Sequence, residues 1–188
     1  MSAPPDLPPA VQRALDLSRR EGFVSSTRHE TGRLLAALAA TRAGTLAESG
    51  TGCGVGSAWL RSGVRQGARI VTAELDHKLA KAVGALFADD DQVEVLPADW
   101  TTLHEHGPFS LLFLDVRELK QGGPDAIYEL LEPGGIVVLD DFTPCSGWPP
   151  IYAGRVDTVR QQWLTDPRFV SAEVMVAEDA SVVVGTRR

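Results

Sequence analysis

The chain has 188 residues, 44% hydrophobic and 23% charged, the profile of one ordinary globular domain and not of a disordered or collagen-like chain. Two cysteines, Cys53 and Cys145, are too few for a disulfide framework, no paired Cys/His cluster suggests zinc, and both are read as free thiols. The net charge of −7 argues against nucleic acid held by a general basic surface, and no apolar run approaches a membrane span.

The first nine residues form a Pro-rich arm with neither the basic end nor the apolar stretch of a signal peptide, so a cytoplasmic protein is expected. Pro9 suits the first turn of a helix carrying Val11, Leu15 and Leu17. A second helical pattern, His29 to Thr41, sets Leu34, Leu35 and Leu38 on one face. Charge is uneven along the chain: nine Arg face five acids in residues 1–70, while nine Lys and Arg face twenty acids in 71–188.

Beyond Gly44 short apolar runs alternate with amphipathic stretches. Strands are expected at Thr45 to Ser49, Arg69 to Glu74, Gln92 to Leu96, Phe109 to Asp115 and Gly135 to Asp140. Helices are expected at Asp76 to Phe87, Pro124 to Leu131 and Arg155 to Leu164. This alternation reads as a parallel sheet covered on both faces. Two final β-rich runs, Phe169 to Val176 and Ser181 to Thr186, flank a short turn and read as an antiparallel hairpin at one edge. The expected architecture is one α/β domain over 1–188, with an N-terminal helical cap (1–43) on a core (44–188). Apolar faces on the cap helices beyond what one sheet needs suggest a homodimer.

The strongest local signal is Glu48-Ser-Gly50-Thr51-Gly52-Cys-Gly54-Val-Gly56-Ser57, between the first strand and a helix. Such glycines turn the backbone tightly, and the helix aims free N–H groups at the same place, favouring a carboxylate or phosphate. The dinucleotide fingerprint needs Gly or Ala five positions after its first glycine; here Val55, Ser57 or Trp59 stands there, so the nicotinamide reading fails. An acid, Glu74, ends the second strand 22 residues after Gly52, where a carboxylate can accept hydrogen bonds from ribose hydroxyls. The third strand ends in Leu96-Pro-Ala-Asp99-Trp100, and the fifth segment reads Leu131-Glu-Pro-Gly-Gly-Ile-Val-Val-Leu-Asp140-Asp141.

The glycine loop resembles motif I of the class I S-adenosylmethionine (SAM)-dependent methyltransferases. The fourth and fifth strands, and Ser26-Thr27 with Glu30-Thr-Gly32-Arg-Leu-Leu35, resemble the small-molecule O-methyltransferases related to catechol O-methyltransferase. The resemblance implies a Rossmann-like, mostly parallel sheet of seven strands with an antiparallel C-terminal hairpin and helices on both faces. It implies a SAM site of Glu48, Gly50, Thr51, Gly52, Gly54, Ser57, Glu74, Leu75, Asp99, Trp100 and Asp115. In it the helix N-terminus and Ser57 meet the methionine carboxylate, Glu74 the ribose, Asp99 the adenine amino group, and Trp100 the purine face.

In the resembling enzymes a divalent cation acidifies the acceptor hydroxyl. Asp115, Asp140 and Asp141 match its ligand positions, oxygen donors suited to Mg²⁺ or Ca²⁺. Two departures stand out: the family's asparagine is Asp141, and its lysine three residues after the first ligand is Glu118, with Lys120 nearby. Two arrangements therefore stay open, a bound cation or a proton kept on one carboxylate. Under the second, Lys120 or His29 is the candidate base. The loop Thr143 to Tyr152, with Trp148, is the candidate substrate wall. The expected function is transfer of a methyl group from SAM to a hydroxyl or phenol of a small molecule, with no nucleic acid or membrane partner. A non-catalytic SAM-binding protein, or an N- or protein methyltransferase of the same fold, is the alternative.

Overall fold

The computed structural model describes residues 6–188; residues 1–5 of the expected arm lie outside the described residues. Helix α1 (Pro9–Glu21) opens on proline and stops at Gly22, whose left-handed backbone (φ 66°) closes the last turn. It buries Val11, Ala14, Leu17 and Ser18, leaving Leu15 half-buried. Helix α2 (His29–Ala39) buries Thr31, Gly32, Leu35 and Ala39.

The αβ core follows: β1 (Thr45–Ser49), α3 (Val55–Gly63), β2 (Arg69–Ala73), α4 (His77–Leu86), β3 (Val93–Leu96), β4 (Phe109–Leu114), α5 (Arg117–Ile127) and β5 (Leu131–Phe142). A two-residue hairpin, β6 (Ile151–Tyr152) with β7 (Arg155–Val156), then α6 (Thr158–Thr165), β8 (Phe169–Ala177) and β9 (Ala180–Arg187) complete it. The seven-stranded sheet runs β3-β2-β1-β4-β5-β9-β8. The first five strands pair in parallel, and β9 inserts antiparallel between β5 and β8. The expected architecture, a Rossmann-like sheet with a terminal hairpin, is the observed one.

Strand β4 is wholly buried, as a parallel strand covered on both faces must be. Its alternate residues feed two layers. Leu112 and Leu114 join Leu119, Leu139, Trp163 and Phe169 on one face; Leu111 and Phe113 join Leu35, Leu60 and Val138 on the other. A third cluster seats α1 against α3 and α4 through Val11, Leu17, Trp59 and Val83. The apolar faces of α1 and α2 thus pack within the chain through Leu17 and Leu35, while Leu15, Leu34 and Leu38 stay half-buried.

Three segments differ from expectation. Helix α5 starts at Arg117, seven residues before Pro124. A break at Gly123 (φ 70°, ψ −169°) divides it, so its first half, rich in charge, lacks a long apolar stripe. Strand β5 begins at Leu131, because a register shift lets the Pro-Gly-Gly stretch stay in the strand. Arg155 belongs to β7, not to a helix: Ala153 and Gly154 both take positive φ, the two-residue hairpin geometry, with none of the usual Asn-Gly signal. The helix starts three residues later, where Asp157 accepts a hydrogen bond from the Arg160 N–H at 3.0 Å.

Candidate active site

The strand order reverses between β1 and β4, and in such sheets a crevice opens outside the carboxyl ends of the strands at that point. A cavity of about 610 Å³ lies there. Its floor is the loop Gly50–Cys53, its walls are Glu74, Asp115 and Asp140–Thr143, and its roof is the segment Phe23–Arg28 with Asp179 and Ala180.

The loop is tied to β2 by the Gly50 and Thr51 N–H groups, which donate to the Ala73 carbonyl at 3.0 and 3.2 Å. Glu74 is held by two backbone donors, Gly52 N–H at 2.7 Å and Asp76 N–H at 2.9 Å, which leaves further lone pairs for a ligand. At Gly52 (φ 52°) a Cβ would sit 3.0 Å from the Phe23 ring, so the roof comes close to the floor only over glycine. The roof hangs from α1: the Ser18 hydroxyl donates to the Phe23 carbonyl at 2.7 Å and pairs with the Ser26 hydroxyl at 2.8 Å. At its far end Arg28 grips Asp179 through two hydrogen bonds of 2.7 and 2.8 Å, joining the roof to the β8–β9 turn.

Several expected ligand residues do other work. Glu48 is buried beneath the loop, where it accepts hydrogen bonds from the Ser57 hydroxyl and, at 3.0 Å, from Thr72. Neither Glu48 nor Ser57 borders the cavity. Burial pushes the Glu48 carboxyl up to about 8, only partly offset by the Ser57 hydroxyl. Gly56 has no Cβ because one would collide with the Glu48 carboxylate. Leu75 is exposed just past Glu74. Asp99, also exposed, caps a short 3₁₀ helix (Trp100–Glu105) by accepting from the Thr101 N–H at 3.0 Å. Trp100 packs at the edge of the main core, 6.0 Å from the His104 ring. These three lie at the ends of β2 and β3, outside the cavity lining.

His29 does not fit the expected base. It does not border the cavity, and its ring meets Trp59 edge-on at 6.3 Å. The substrate-wall expectation holds only at its start: Phe142 and Thr143 border the cavity, whereas Trp148 is 62% exposed and Tyr152 lies on the β6–β7 hairpin. The two cysteines are free, Cys53 at the cavity floor and Cys145 half-buried.

The acidic trio converges. A register shift in β5 between Leu139 and Phe142 and a left-handed Asp141 (φ 67°) turn neighbouring side chains to one wall, as bulges beside sites do. Asp140 is buried and accepts from the Thr31 hydroxyl at 3.2 Å. Burial raises the Asp115 carboxyl to about 7; Lys120 pulls it down, and Asp141 and Asp140 push it up. Burial raises Asp140 as well. Lys120, expected as a base, is instead a donor: its Nζ reaches Asp141 Oδ2 at 2.9 Å and the Asp140 carbonyl at 3.3 Å.

The donor set does not fit Mg²⁺ or Ca²⁺. Among the described residues no three His, Cys, Asp or Glu side chains are arranged to hold a metal ion, and one Asp141 oxygen is taken by an ammonium.

Sequence reasoning missed two supports. Arg160, 1% exposed, donates to the Thr143 carbonyl at 2.7 Å and to Glu173 at 3.0 Å while stacking over Phe142, which fixes the wall from behind. The Arg28–Asp179 pair spans 151 positions, and nothing in the local pattern of either segment signals it.

No protein-family model matches the chain, and no curated protein sequence matches it. Solved structures do. An O-methyltransferase from Bacillus cereus in complex with SAH is 22% identical, with a TM-score of 0.74, covering 100% of this chain and 94% of that one. An O-methyltransferase from Streptomyces achromogenes involved in tomaymycin synthesis, in complex with SAM, is 20% identical (TM-score 0.75; 97% and 92% covered). An SAH-bound methyltransferase from Podospora anserina is 21% identical (TM-score 0.75; 97% and 89% covered). At such identities the likeness establishes the fold, which is the Rossmann-like methyltransferase fold. Among the described residues no helix is long and apolar enough to cross a membrane.

Proposed function

We propose that the chain is a SAM-dependent methyltransferase acting on a hydroxyl of a small molecule. The observation that carries this reading is one cavity that joins the glycine loop and Glu74 on one side to Asp115, Asp140 and Asp141 on the other. A ligand with a cationic sulfonium between a nucleoside and an amino acid matches that layout. Bound SAM supplies an electrophilic methyl group. The free N–H groups at the start of α3 suit its carboxylate, and Glu74, with lone pairs to spare, suits its ribose. Leu75, Asp99 and Trp100, on the same sheet edge, suit the adenine end.

Methyl transfer is an in-line displacement, so alignment does most of the work. The acceptor hydroxyl must also lose a proton. Asp115 borders the cavity, and its carboxyl, raised to about 7, is matched to taking a proton near neutral pH. Arg160 and the Asp140–Thr143 wall position the acceptor end.

The test is release of S-adenosylhomocysteine (SAH) from SAM over a panel of phenols, catechols and hydroxy acids. Acceptor-dependent release is expected. A protein that binds SAH yet releases none with any hydroxyl acceptor, while methylating amines or proteins, contradicts the oxygen-acceptor reading.

A further inference from the structure

The three carboxylates on the cavity wall need a positive partner, and the chain itself supplies one. Val116 leads straight from the end of β4 into α5, and the first turn of α5 puts Arg117 and Glu118 in solvent while Leu119 and Lys120 turn inward. Helical side chains slant towards the helix N-terminus, so the Lys120 stem runs back to the strand ends where the acids stand. The turn is clamped: the Lys120 N–H donates to the Val116 carbonyl at 3.2 Å, and the Trp163 indole N–H donates to the Lys120 carbonyl at 3.2 Å. The Lys120 side chain is 11% exposed, and its ammonium meets two acceptors, Asp141 Oδ2 at 2.9 Å and the Asp140 carbonyl at 3.3 Å. It comes from the protein side, since Lys120 does not border the cavity although Asp115, Asp140 and Asp141 do.

We infer that the Lys120 ammonium is the built-in counter-charge of this acidic wall, standing in for the divalent cation of the resembling enzymes, so that the site works without a metal. Two features of the geometry support this. A cation entering from the cavity meets Asp141 already paired and Asp140 already engaged by the Thr31 hydroxyl. It also faces a fixed positive charge behind those carboxylates, 2.9 Å from Asp141 Oδ2. The position that carries a lysine in the resembling enzymes is Glu118 here, and it points to solvent. The buried cation beside the acids is Lys120, two residues further along the helix.

The inference rests on the methyl-transfer reading only in naming the reaction, and the experiment separates the two. Mn²⁺ binding is followed by electron paramagnetic resonance on the purified protein, with and without saturating SAH. SAH titration reports on the reaction reading, whereas the Mn²⁺ signal reports on the acidic wall alone. The wild-type protein is expected to leave millimolar Mn²⁺ free. Lys120→Met, which keeps the apolar stem and removes the charge, is expected to gain one Mn²⁺ site at least tenfold tighter than any in wild type, and Asp141→Asn added to it to lose that site. Lys120→Arg keeps a cation and should stay Mn²⁺-free. Circular dichroism checks that each variant folds. Tight stoichiometric Mn²⁺ binding by wild type overturns the inference even if no variant folds, and so does a folded Lys120→Met that gains no Mn²⁺ site.

Discussion

Asp115 shows how one residue's chemistry depends on what the fold puts beside it. In sequence it is an acid closing an apolar strand; in the structure, burial and two neighbouring carboxylates raise its pKa to about 7. An acid with that value is mostly protonated at pH 6 and ionised at pH 8. As the proton acceptor it makes turnover rise with pH through about 7. Asp115→Asn should remove that limb and lower the maximal rate by about 100-fold or more, the usual scale of general-base catalysis, in a pH–rate profile on an acceptor found by screening. Glu74 and the glycines were legible because their work is local, done by backbone geometry at fixed offsets from strand ends. The roles of Lys120, Arg160 and Thr31 were not. Each rests on a partner 17 or more positions away, to which neither hydrophobic period nor turn chemistry points. Glu48 and Ser57 sat in the right motif, yet they bond each other beneath the loop and so support it from below.

At the scale of elements, α2 and α3 lie so close that their contact tolerates only glycine at two places. A Cβ at Gly63 would collide with the Ala36 backbone carbonyl, and one at Gly32 with the Trp59 ring. Backbone yields less readily than a side chain, so Gly63→Ala should destabilise the fold by about 1–3 kcal/mol, in the range of overpacking, measured by urea denaturation. The Arg28–Asp179 pair belongs to the same scale, because it joins the roof to the hairpin turn across the cavity mouth. Both side chains are well exposed, so Arg28→Ala should leave the melting temperature nearly unchanged. It should instead speed SAH dissociation in stopped-flow measurements, and high salt should speed wild-type dissociation in the same way. An unchanged dissociation rate would show that the pair does not hold the roof shut. Strand–helix alternation was plain in the sequence because its apolar runs are long. The start of α5 and the β6–β7 hairpin were not, since a glycine break and an Ala-Gly turn carry no strong local signal.

For the whole molecule, the main pH effect comes from carboxyls buried at the sheet's carboxyl edge. Glu48 is raised to about 8, Asp115 to about 7, and Asp140 is raised too, in each case chiefly by burial. Each holds its proton more tightly folded than unfolded, so the stability this contributes is whole below about pH 4 and is lost as pH rises through 7 to 8. The ligand-free protein should therefore melt at a higher temperature at pH 5.5 than at pH 8.5. Glu48→Gln, which keeps an acceptor for Ser57 and Thr72, should narrow that difference; a gap unchanged by it would place the effect elsewhere. The topology of the whole was legible, down to the antiparallel terminal hairpin, because a two-sided parallel sheet imposes its pattern on every strand. The cavity was not, because it forms where the roof, the β5 bulge and the β8–β9 turn meet from distant parts of the chain. The most direct test of the central claim is a calorimetric titration with SAH, with NAD as the control, on wild type and Glu74→Ala. One SAH site, no NAD binding, and a loss of about 1.5–3 kcal/mol in Glu74→Ala are expected, the scale of hydrogen bonds to a charged group. Tight NAD binding with no SAH binding, or SAH affinity untouched by Glu74→Ala, would contradict it.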